Sequence, residues 1–170
     1  MAVSNLFPLG WGQLKVYLAG AIEAAPDGGT GWRREVTEFL TSEIGWDVFD
    51  PSLHEQDFLT EEEKTNFREW KVTDTQRFMG VIKKIIDRDV HQLLKKCEAV
   101  ICLWDEHVIQ GGGTHGELTL AYEHNLPVYL VLGMPLEKVS SWIVGCTTEV
   151  FQNFDDLKQY LASEHSKNNA

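Results

Sequence analysis

The segment GGGTHGE, residues 111–117, combines glycines with a carboxylate that could take part in chemistry. It stands between the apolar run AVICLW and the helical pattern ELTLAYEHN, so Glu117 is expected in the first turn of a helix. There the helix dipole keeps a carboxylate ionised, and the glycines let a ligand approach the backbone. A sugar whose glycosidic bond breaks through an oxocarbenium-like state needs such an anion beside its anomeric carbon. Glu117 is therefore a candidate nucleophile.

Two other interpretations of the same segment remain open. Thr114 and Glu117 have the spacing of a capping box, in which both side chains only complete the helix start. The segment also matches Gly-x-Gly-x-x-Gly, the fingerprint of a dinucleotide loop. That fingerprint belongs after the first strand of a sheet, with an acidic residue about 20 positions on. Here it follows the third apolar run, and the next one ends in Gly133, which disfavours a nicotinamide or flavin enzyme.

Short apolar runs alternate with helical patterns along the chain, which predicts strands joined by helical crossovers. The runs are LKVYLAG, GWDVFDP, AVICLW, LPVYLVLG and a short strand ahead of NFDDLKQYLASEH. The polar stretch SLHEQDFLTEEEKTNFREWKVTD is expected to be irregular or partly helical. We predict an α/β fold: a flavodoxin-like, Rossmann-like sheet of five parallel strands with helices on both faces. One domain is expected over 1–170, with a core at about 14–162 and a polar tail. Ligands of such sheets bind beyond the carboxyl ends of the strands.

The composition limits the classes of function. The chain has 170 residues and a formal net charge of −11, which disfavours binding to a nucleic acid polymer. Its three cysteines lack metal-ligand spacing, and His107 and His115 alone do not make a metal site. We expect no metal, no organic cofactor and buried free thiols. No apolar run approaches the roughly 20 residues that span a bilayer, and no signal peptide is evident, so no membrane association and a cytoplasmic location are expected.

Several motifs stand in an order that resembles the nucleoside 2-deoxyribosyltransferase family, which also includes related nucleotide N-glycosidases. The motifs are VYLAGAIEAAPDGGTGWRREVTEFL, VFDPS, RDVHQLLKKCEAVICLW, GGGTHGELTLAYEHNLPVYLV and SSWIVGCTTEVFQNFDDLKQYL. The resemblance implies a flavodoxin-like homo-oligomer, a dimer or larger, that cleaves the N-glycosidic bond of deoxynucleosides. It implies that a glutamate attacks C1′, the base leaves, and a second free nucleobase takes the sugar. The partners would be a small nucleoside or nucleotide and a nucleobase.

The resemblance assigns roles to individual residues. Glu117 matches the nucleophile, and Tyr17 matches the tyrosine whose hydroxyl holds that carboxylate. Asp89 matches the acid near the departing base, where a protonated carboxyl assists the leaving nitrogen. Asp87 is the alternative, because the spacing to the next strand is one residue longer than expected. Tyr17 as a core tyrosine and Asp89 as a residue that starts a helix are the structural alternatives.

The substrate-binding candidates lie at or near predicted strand ends. Gly20, Gly113 and Thr114 are expected to contact the sugar, and Trp32 either stacks on a base or packs its helix on the sheet. The complete set of binding candidates is Gly20, Ala21, Trp32, Asp50, Asp87, Gly113 and Thr114.

One position departs from the family pattern. Transferases of this family often carry an aspartate six residues before the nucleophile, and Gly111 occupies that position here. Base recognition would then come from Asp105, Glu106 or the segment HEQDFLTEEEK. The departure favours bond cleavage over base exchange, which leaves an N-hydrolase as one alternative and a non-catalytic nucleotide-binding module as another. The hydrolase branch tends to recognise a 5′-phosphate, but Arg33 and Arg34 are expected to be exposed helix residues.

Overall fold

A computed structural model describes residues 13–54 and 57–168. Within them, five strands form one parallel sheet in the order β2-β1-β3-β4-β5. The strands are β1 Lys15–Ala19, β2 Asp47–Phe49, β3 Ala99–Trp104, β4 Val128–Leu132 and β5 Glu149–Phe151. The predicted α/β fold with a flavodoxin-like strand order is confirmed.

Seven α-helices connect or follow these strands in the described residues. They are α1 Thr30–Phe39, α2 Pro51–His54, α3 Glu61–Thr73, α4 Thr75–Lys96, α5 Gly113–Glu123, α6 Ser141–Gly145 and α7 Phe154–Asn168. A π-helical turn, Leu40–Ile44, continues α1, and short 3-10 turns occupy Val108–Gln110 and Leu136–Lys138. Across residues 13–54 and 57–168, no helix combines the length and apolar character needed to cross a membrane.

The sheet separates two apolar cores because successive side chains of a strand point to opposite faces. Val16 and Leu18 of β1 join the core covered by α1 and α7. Tyr17 and Ala19 join the core covered by α4, α5 and α6. Helices therefore cover both faces, as predicted, and the parity of β1 places the Tyr17 ring on the face that carries α5. The three cysteines are buried free thiols, also as predicted.

The polar stretch after β2 is more regular than the sequence suggested. Thr60 and Glu63 form a capping box that starts α3, and Asp74 caps α4 through the Arg77 amide. Leu59, Phe67, Trp70 and Val81 form a small core between the two helices. With 22 residues, α4 is about 33 Å long, whereas a six-residue strand such as β3 spans about 20 Å.

The C-terminal end of α4 lies two residues before β3, at the amino edge of the sheet. Its N-terminal half therefore extends past the carboxyl edge, and α3 packs against that half. Trp70 and Phe78 pack within this helical hairpin. Trp142 is 67% exposed.

Candidate active site

Tyr17 and Glu117, 100 positions apart in sequence, meet where the middle of β1 faces the first half of α5. The Tyr17 hydroxyl donates a hydrogen bond of 2.6 Å to Glu117 Oε1. Tyr17 is fully buried in the middle of β1, and its ring packs on Phe49 with centroids 5.5 Å apart. The predicted hydrogen bond between the two side chains is thus present. The strand fixes the tyrosine, and the tyrosine fixes the direction of the carboxylate.

The capping-box interpretation of Glu117 is wrong. The N-cap of α5 is Gly112, which has no side-chain cap, and Thr114 is the second residue inside the helix. The sequence predicted Glu117 in the first turn of the helix. It is the fifth helical residue and therefore lies just beyond that turn. The helix dipole falls off within that turn, so it contributes little to the charge state of Glu117. The carboxylate turns toward β1 rather than back to the helix start.

The surroundings of Glu117 shift its pKa upward. Burial among protein atoms is the largest cause and raises the pKa of Glu117 to about 7, with a smaller contribution from the charge of Asp89. The hydrogen bond from Tyr17 and the charges of Arg33 and Arg88 act in the opposite direction on this pKa. Glu117 as a whole residue is nevertheless partly exposed. Burial, followed by the charge of Glu117, raises the pKa of Tyr17, so the phenol keeps its proton and remains a donor.

The structure distinguishes the two candidate acids of α4. Asp89 is partly buried and contributes to the electrostatics of both Tyr17 and Glu117. Asp87, which was named as an alternative and as a binding residue, is exposed and two residues away, on the opposite side of the helix. Neither residue starts a helix, because both lie well inside α4. Asp89 is paired with Arg88, whose Nη2 lies 2.6 Å from Asp89 Oδ1.

Arg33 is fully buried, which contradicts the expectation of an exposed helix residue. Its guanidinium donates hydrogen bonds to the carbonyl oxygens of Gly20 at 2.9 Å, Ala21 at 3.1 Å and Gly29 at 2.8 Å. It also lies 3.5 Å from Asp50 Oδ1. Burial lowers the pKa of Arg33, although the neighbouring charge of Asp50 opposes that effect. One side chain therefore holds the loop after β1 against the end of β2. Arg34, by contrast, is exposed as expected.

The backbone of the β1–α1 loop requires glycine at its contact with Arg33. Gly29 has φ +70°, and a Cβ there would lie 2.2 Å from both Ala21 O and Arg33 Nη1. Gly20 follows β1 with φ +154°. The Gly20 and Ala21 carbonyls, both in the predicted binding set, are thus engaged by Arg33, whereas their other atoms remain available to a ligand.

The remaining binding candidates have varied surroundings. Asp50 is buried, and its Oδ1 accepts hydrogen bonds from the Ser52 amide and hydroxyl in addition to pairing with Arg33. Trp32 stacks on Phe154 of α7, with ring centroids 5.5 Å apart. Of its two predicted roles, packing of its helix rather than stacking on a base therefore matches this position. Gly113 is the exposed first residue of α5, and Thr114 is buried beside it.

The residues proposed to replace the missing aspartate at Gly111 lie in the loop after β3. Asp105 Oδ1 accepts hydrogen bonds from the His107 and Val108 amides, which organises that loop. Glu106 is exposed. In the segment HEQDFLTEEEK, Glu55 and Gln56 lie outside the described residues. The His115 ring packs edge-on against Trp104, with centroids 4.8 Å apart.

Glu117 does not line either of the two best-defined hollows found among the described residues. One hollow, of about 570 Å³, lies between the end of α5 and the segment around Cys146, and the other, of about 470 Å³, lies near Trp46. The Glu117 carboxylate lies against β1, through its hydrogen bond with Tyr17, and close enough to Asp89 and Arg88 of α4 for their charges to affect its pKa.

No protein-family model matches this chain, and no curated protein matches it in sequence. Among solved structures, it is similar to the CMP N-glycosidase BcmB of Clostridium botulinum. The two chains are 17% identical, the match covers 86% of this chain and 96% of the other, and the TM-score is 0.47. At these values the similarity assigns no family or activity to this chain. Its fold class rests on the order and register of its own strands.

Two arginines near Glu117 were missed or misjudged from the sequence, although the sequence carried a signal for both. Arg33 shares a helical stripe with Val36 and Leu40, at spacings of three and seven, which indicates a buried face. Arg88 stands seven residues after Val81 on the stripe that packs α4 inward. An arginine in an apolar stripe is a candidate for a buried ion pair.

Proposed function

We propose that this chain cleaves the N-glycosidic bond of deoxynucleosides and transfers the 2-deoxyribosyl group to another nucleobase. The observation that supports the proposal most directly is the 2.6 Å hydrogen bond from Tyr17 of β1 to Glu117 of α5. A protein that only binds nucleotides has no need of a desolvated carboxylate held by a buried phenol. Perturbed carboxylates with a specific partner are typical of functional sites.

In the proposed first step, Glu117 attacks C1′ of the sugar. A C1′–O bond forms to the carboxylate while the C1′–N bond breaks, and its electron pair stays on the departing base. In the second step, a nitrogen of another base attacks C1′, the C1′–O bond to Glu117 breaks, and the proton of the attacking nitrogen passes to the Asp89 carboxylate. Water in place of that base would give hydrolysis.

Tyr17 has a positioning role in this scheme. Its hydroxyl donates to one carboxylate oxygen, Oε1, which leaves Oε2 to attack. The same hydrogen bond favours the ionised form of Glu117, which is the form that reacts. The high pKa of Tyr17 makes it unsuitable as a proton donor to the base, because the phenolate would be strongly disfavoured.

Asp89 is proposed to deliver the proton that the departing base accepts. An arginine partner favours the ionised form of a carboxyl group, and Asp89 is paired with Arg88. Both Arg88 contacts fall on Asp89 Oδ1, so we propose that Oδ2 carries the proton to the departing base nitrogen while Oδ1 stays paired with Arg88. Gly20, Ala21, Gly113 and Thr114 are proposed to contact the sugar.

An N-hydrolase that uses the same glutamate is the second candidate. Gly111 stands where transferases of the resembling family often carry a base-contacting aspartate, which favours cleavage without exchange. The substrate of such an enzyme would be a nucleoside or a nucleoside 5′-monophosphate.

One incubation separates these possibilities. The protein is mixed with 2′-deoxyinosine, with and without free adenine, and the products are separated by chromatography. New deoxyadenosine is expected for transfer. Hypoxanthine released without deoxyadenosine would indicate hydrolysis, and the same assay with the 5′-monophosphate tests the nucleotide. Absence of turnover across a panel of nucleosides and nucleotides would refute the enzymatic proposal in favour of a binding module.

A homo-oligomer, dimer or larger, remains part of the proposal. Trp142 is 67% exposed and the Tyr122 side chain is 60% exposed, and association would cover such surfaces. Sedimentation at micromolar concentration is expected to show a species larger than one chain of 19.3 kDa. A monomer at those concentrations would contradict this part of the proposal.

A further inference from the structure

Arg88 carries a donor that has no partner among the described residues. Its Nε and Nη2 both contact Asp89 Oδ1, at 2.8 and 2.6 Å, and Nη2 also lies 3.4 Å from Pro51 O. Its Nη1 is buried and makes no hydrogen bond within residues 13–54 and 57–168. A buried charged donor without an acceptor is costly. A ligand that supplies an oxygen would remove that cost.

The position of Arg88 indicates which part of a ligand it meets. The Arg88 guanidinium lies over the Phe49 ring, 5.7 Å from its centroid, and over the Phe58 ring, at 5.0 Å. Arg88 is also close enough to Glu117 to lower its pKa. Aromatic rings beside a guanidinium suit a flat, unsaturated ring, whereas sugar hydroxyls suit the backbone of the Gly20 loop.

A phosphate group fits this position poorly. Two carboxylates, Asp89 and Glu117, lie near the guanidinium, and a dianion would be repelled by both. Two of the three Arg88 nitrogens already contact Asp89. A single remaining nitrogen matches one planar acceptor better than three phosphate oxygens.

We propose that Arg88 reads the leaving nucleobase: its Nη1 donates a hydrogen bond to a ring carbonyl oxygen, so the site prefers oxo-substituted bases. This inference rests on the proposed function. When the C1′–N bond breaks, its electron pair enters the base ring, and part of the charge reaches the carbonyl oxygen. A hydrogen bond from a guanidinium strengthens as that charge grows, which stabilises the transition state more than the bound substrate. The proton that finally neutralises the base nitrogen comes from Asp89.

Gln92 supports this placement. It lies one turn after Arg88 on the same face of α4, and its Oε1 is also buried without a partner among the described residues. A donor from Arg88 and an acceptor from Gln92 would complement a carbonyl next to a ring N–H. Lactam edges of this kind occur in hypoxanthine, guanine, uracil and thymine, but not in adenine.

The test compares kcat/KM for 2′-deoxyinosine, 2′-deoxyuridine and 2′-deoxyadenosine. For Arg88→Met, we expect kcat/KM for 2′-deoxyinosine, for 2′-deoxyuridine or for both to fall roughly 10- to 100-fold more than kcat/KM for 2′-deoxyadenosine. This is the range for a hydrogen bond to a charged group. Arg88→Lys, which keeps a charge and a donor, should recover part of that difference. Lys83→Met removes an exposed charge from the same helix and is the matched control.

Several results would overturn the inference. An equal loss on all three substrates would mean that Arg88 acts only through Asp89. A variant that instead loses its discrimination between 2′-deoxyinosine and its 5′-monophosphate would place the phosphate, not the base, at Arg88. Arg88→Gln serves as a second variant if melting shows that Arg88→Met does not fold.

The proposed function can fail separately. If the parent protein cleaves no substrate, the catalytic proposal is refuted, and Arg88 is judged by calorimetric binding of free hypoxanthine and adenine. If hypoxanthine binds more tightly than adenine and Arg88→Met loses this difference, the proposal that Arg88 recognises the base would still hold. Equal affinities for the two bases, or no binding of either, would remove it.

Discussion

Replacing Glu117 with glutamine tests both the chemistry and the electrostatics of the site. Glutamine has the same volume, and its carbonyl can still accept the hydrogen bond from Tyr17. A neutral amide neither attacks C1′ nor stabilises a cationic sugar. We expect turnover to fall at least about a thousandfold, equivalent to about 4 kcal/mol of barrier, in a protein that remains folded and binds nucleoside.

The same substitution should change how stability depends on pH. The pKa of Glu117 is raised from 4.5 to about 7 in the folded protein. One pKa unit corresponds to about 1.4 kcal/mol. The stabilisation by protonated Glu117 is therefore fully present below pH 4.5 and is lost as pH rises through about 7. The ionised form costs the fold up to about 3 kcal/mol at alkaline pH, and Glu117→Gln does not incur this cost.

Denaturant unfolding of both proteins at pH 4.5 and pH 8 measures this effect. The unfolding free energy of Glu117→Gln, relative to the parent, should rise by up to about 3 kcal/mol between the two values. An unchanged difference would show that the carboxylate is not desolvated. A variant that cleaves within tenfold of the parent would remove Glu117 from the mechanism.

Three further substitutions test the groups that position the site. Tyr17→Phe removes a hydrogen bond that lowers the pKa of the nucleophile, so the rising limb of the pH profile of kcat/KM should move to higher pH; an unmoved limb would contradict the positioning role. Arg33→Met should destabilise the fold by roughly 3–5 kcal/mol, because it leaves the buried Asp50 carboxylate without its arginine. The control Arg34→Met should change stability by less than about 0.5 kcal/mol. Equal effects of the two variants in chemical denaturation would refute the account of a buried ion pair. Gly29→Ala places a Cβ 2.2 Å from Ala21 O and Arg33 Nη1, whereas Gly28 has a similar φ and open space around it. The melting temperature should therefore fall further for Gly29→Ala than for Gly28→Ala. Similar decreases would mean that only the backbone φ matters.

The strands of the sheet could be predicted because each one is marked by a short apolar run in its own segment of the sequence. The run AVICLW became β3 without a change of boundary, since a short, continuous apolar run is typical of a strand that is buried on both faces of a parallel sheet. The pairing of Tyr17 with Glu117 came from the family resemblance rather than from local pattern. No periodicity connects two residues that are 100 positions apart.

The errors concern features that local pattern does not determine. The Thr-x-x-Glu spacing of residues 114–117 fits a capping box only if Thr114 precedes the helix, and the helix starts one residue earlier, at Gly113. Arg33 was judged by its charge, but its acceptors are backbone carbonyls of a loop whose path the sequence does not give. The hairpin of α3 and α4 has a capping box in its sequence, at Thr60 and Glu63. Its charged residues suit an exposed loop as well as an exposed helix face, so charge alone does not predict its order.

Mass spectrometry of a trapped intermediate tests the central claim most directly. A fluorine at C2′ of a deoxynucleoside destabilises the oxocarbenium-like transition states, so a glycosyl-enzyme that forms should break down slowly. After incubation with such an analogue and digestion, the peptide containing Glu117 should gain the mass of one fluorinated sugar, and free nucleobase should discharge it. Glu117→Gln should gain none. Base release from the parent protein without a label on Glu117, or with the label on another residue, would contradict the account.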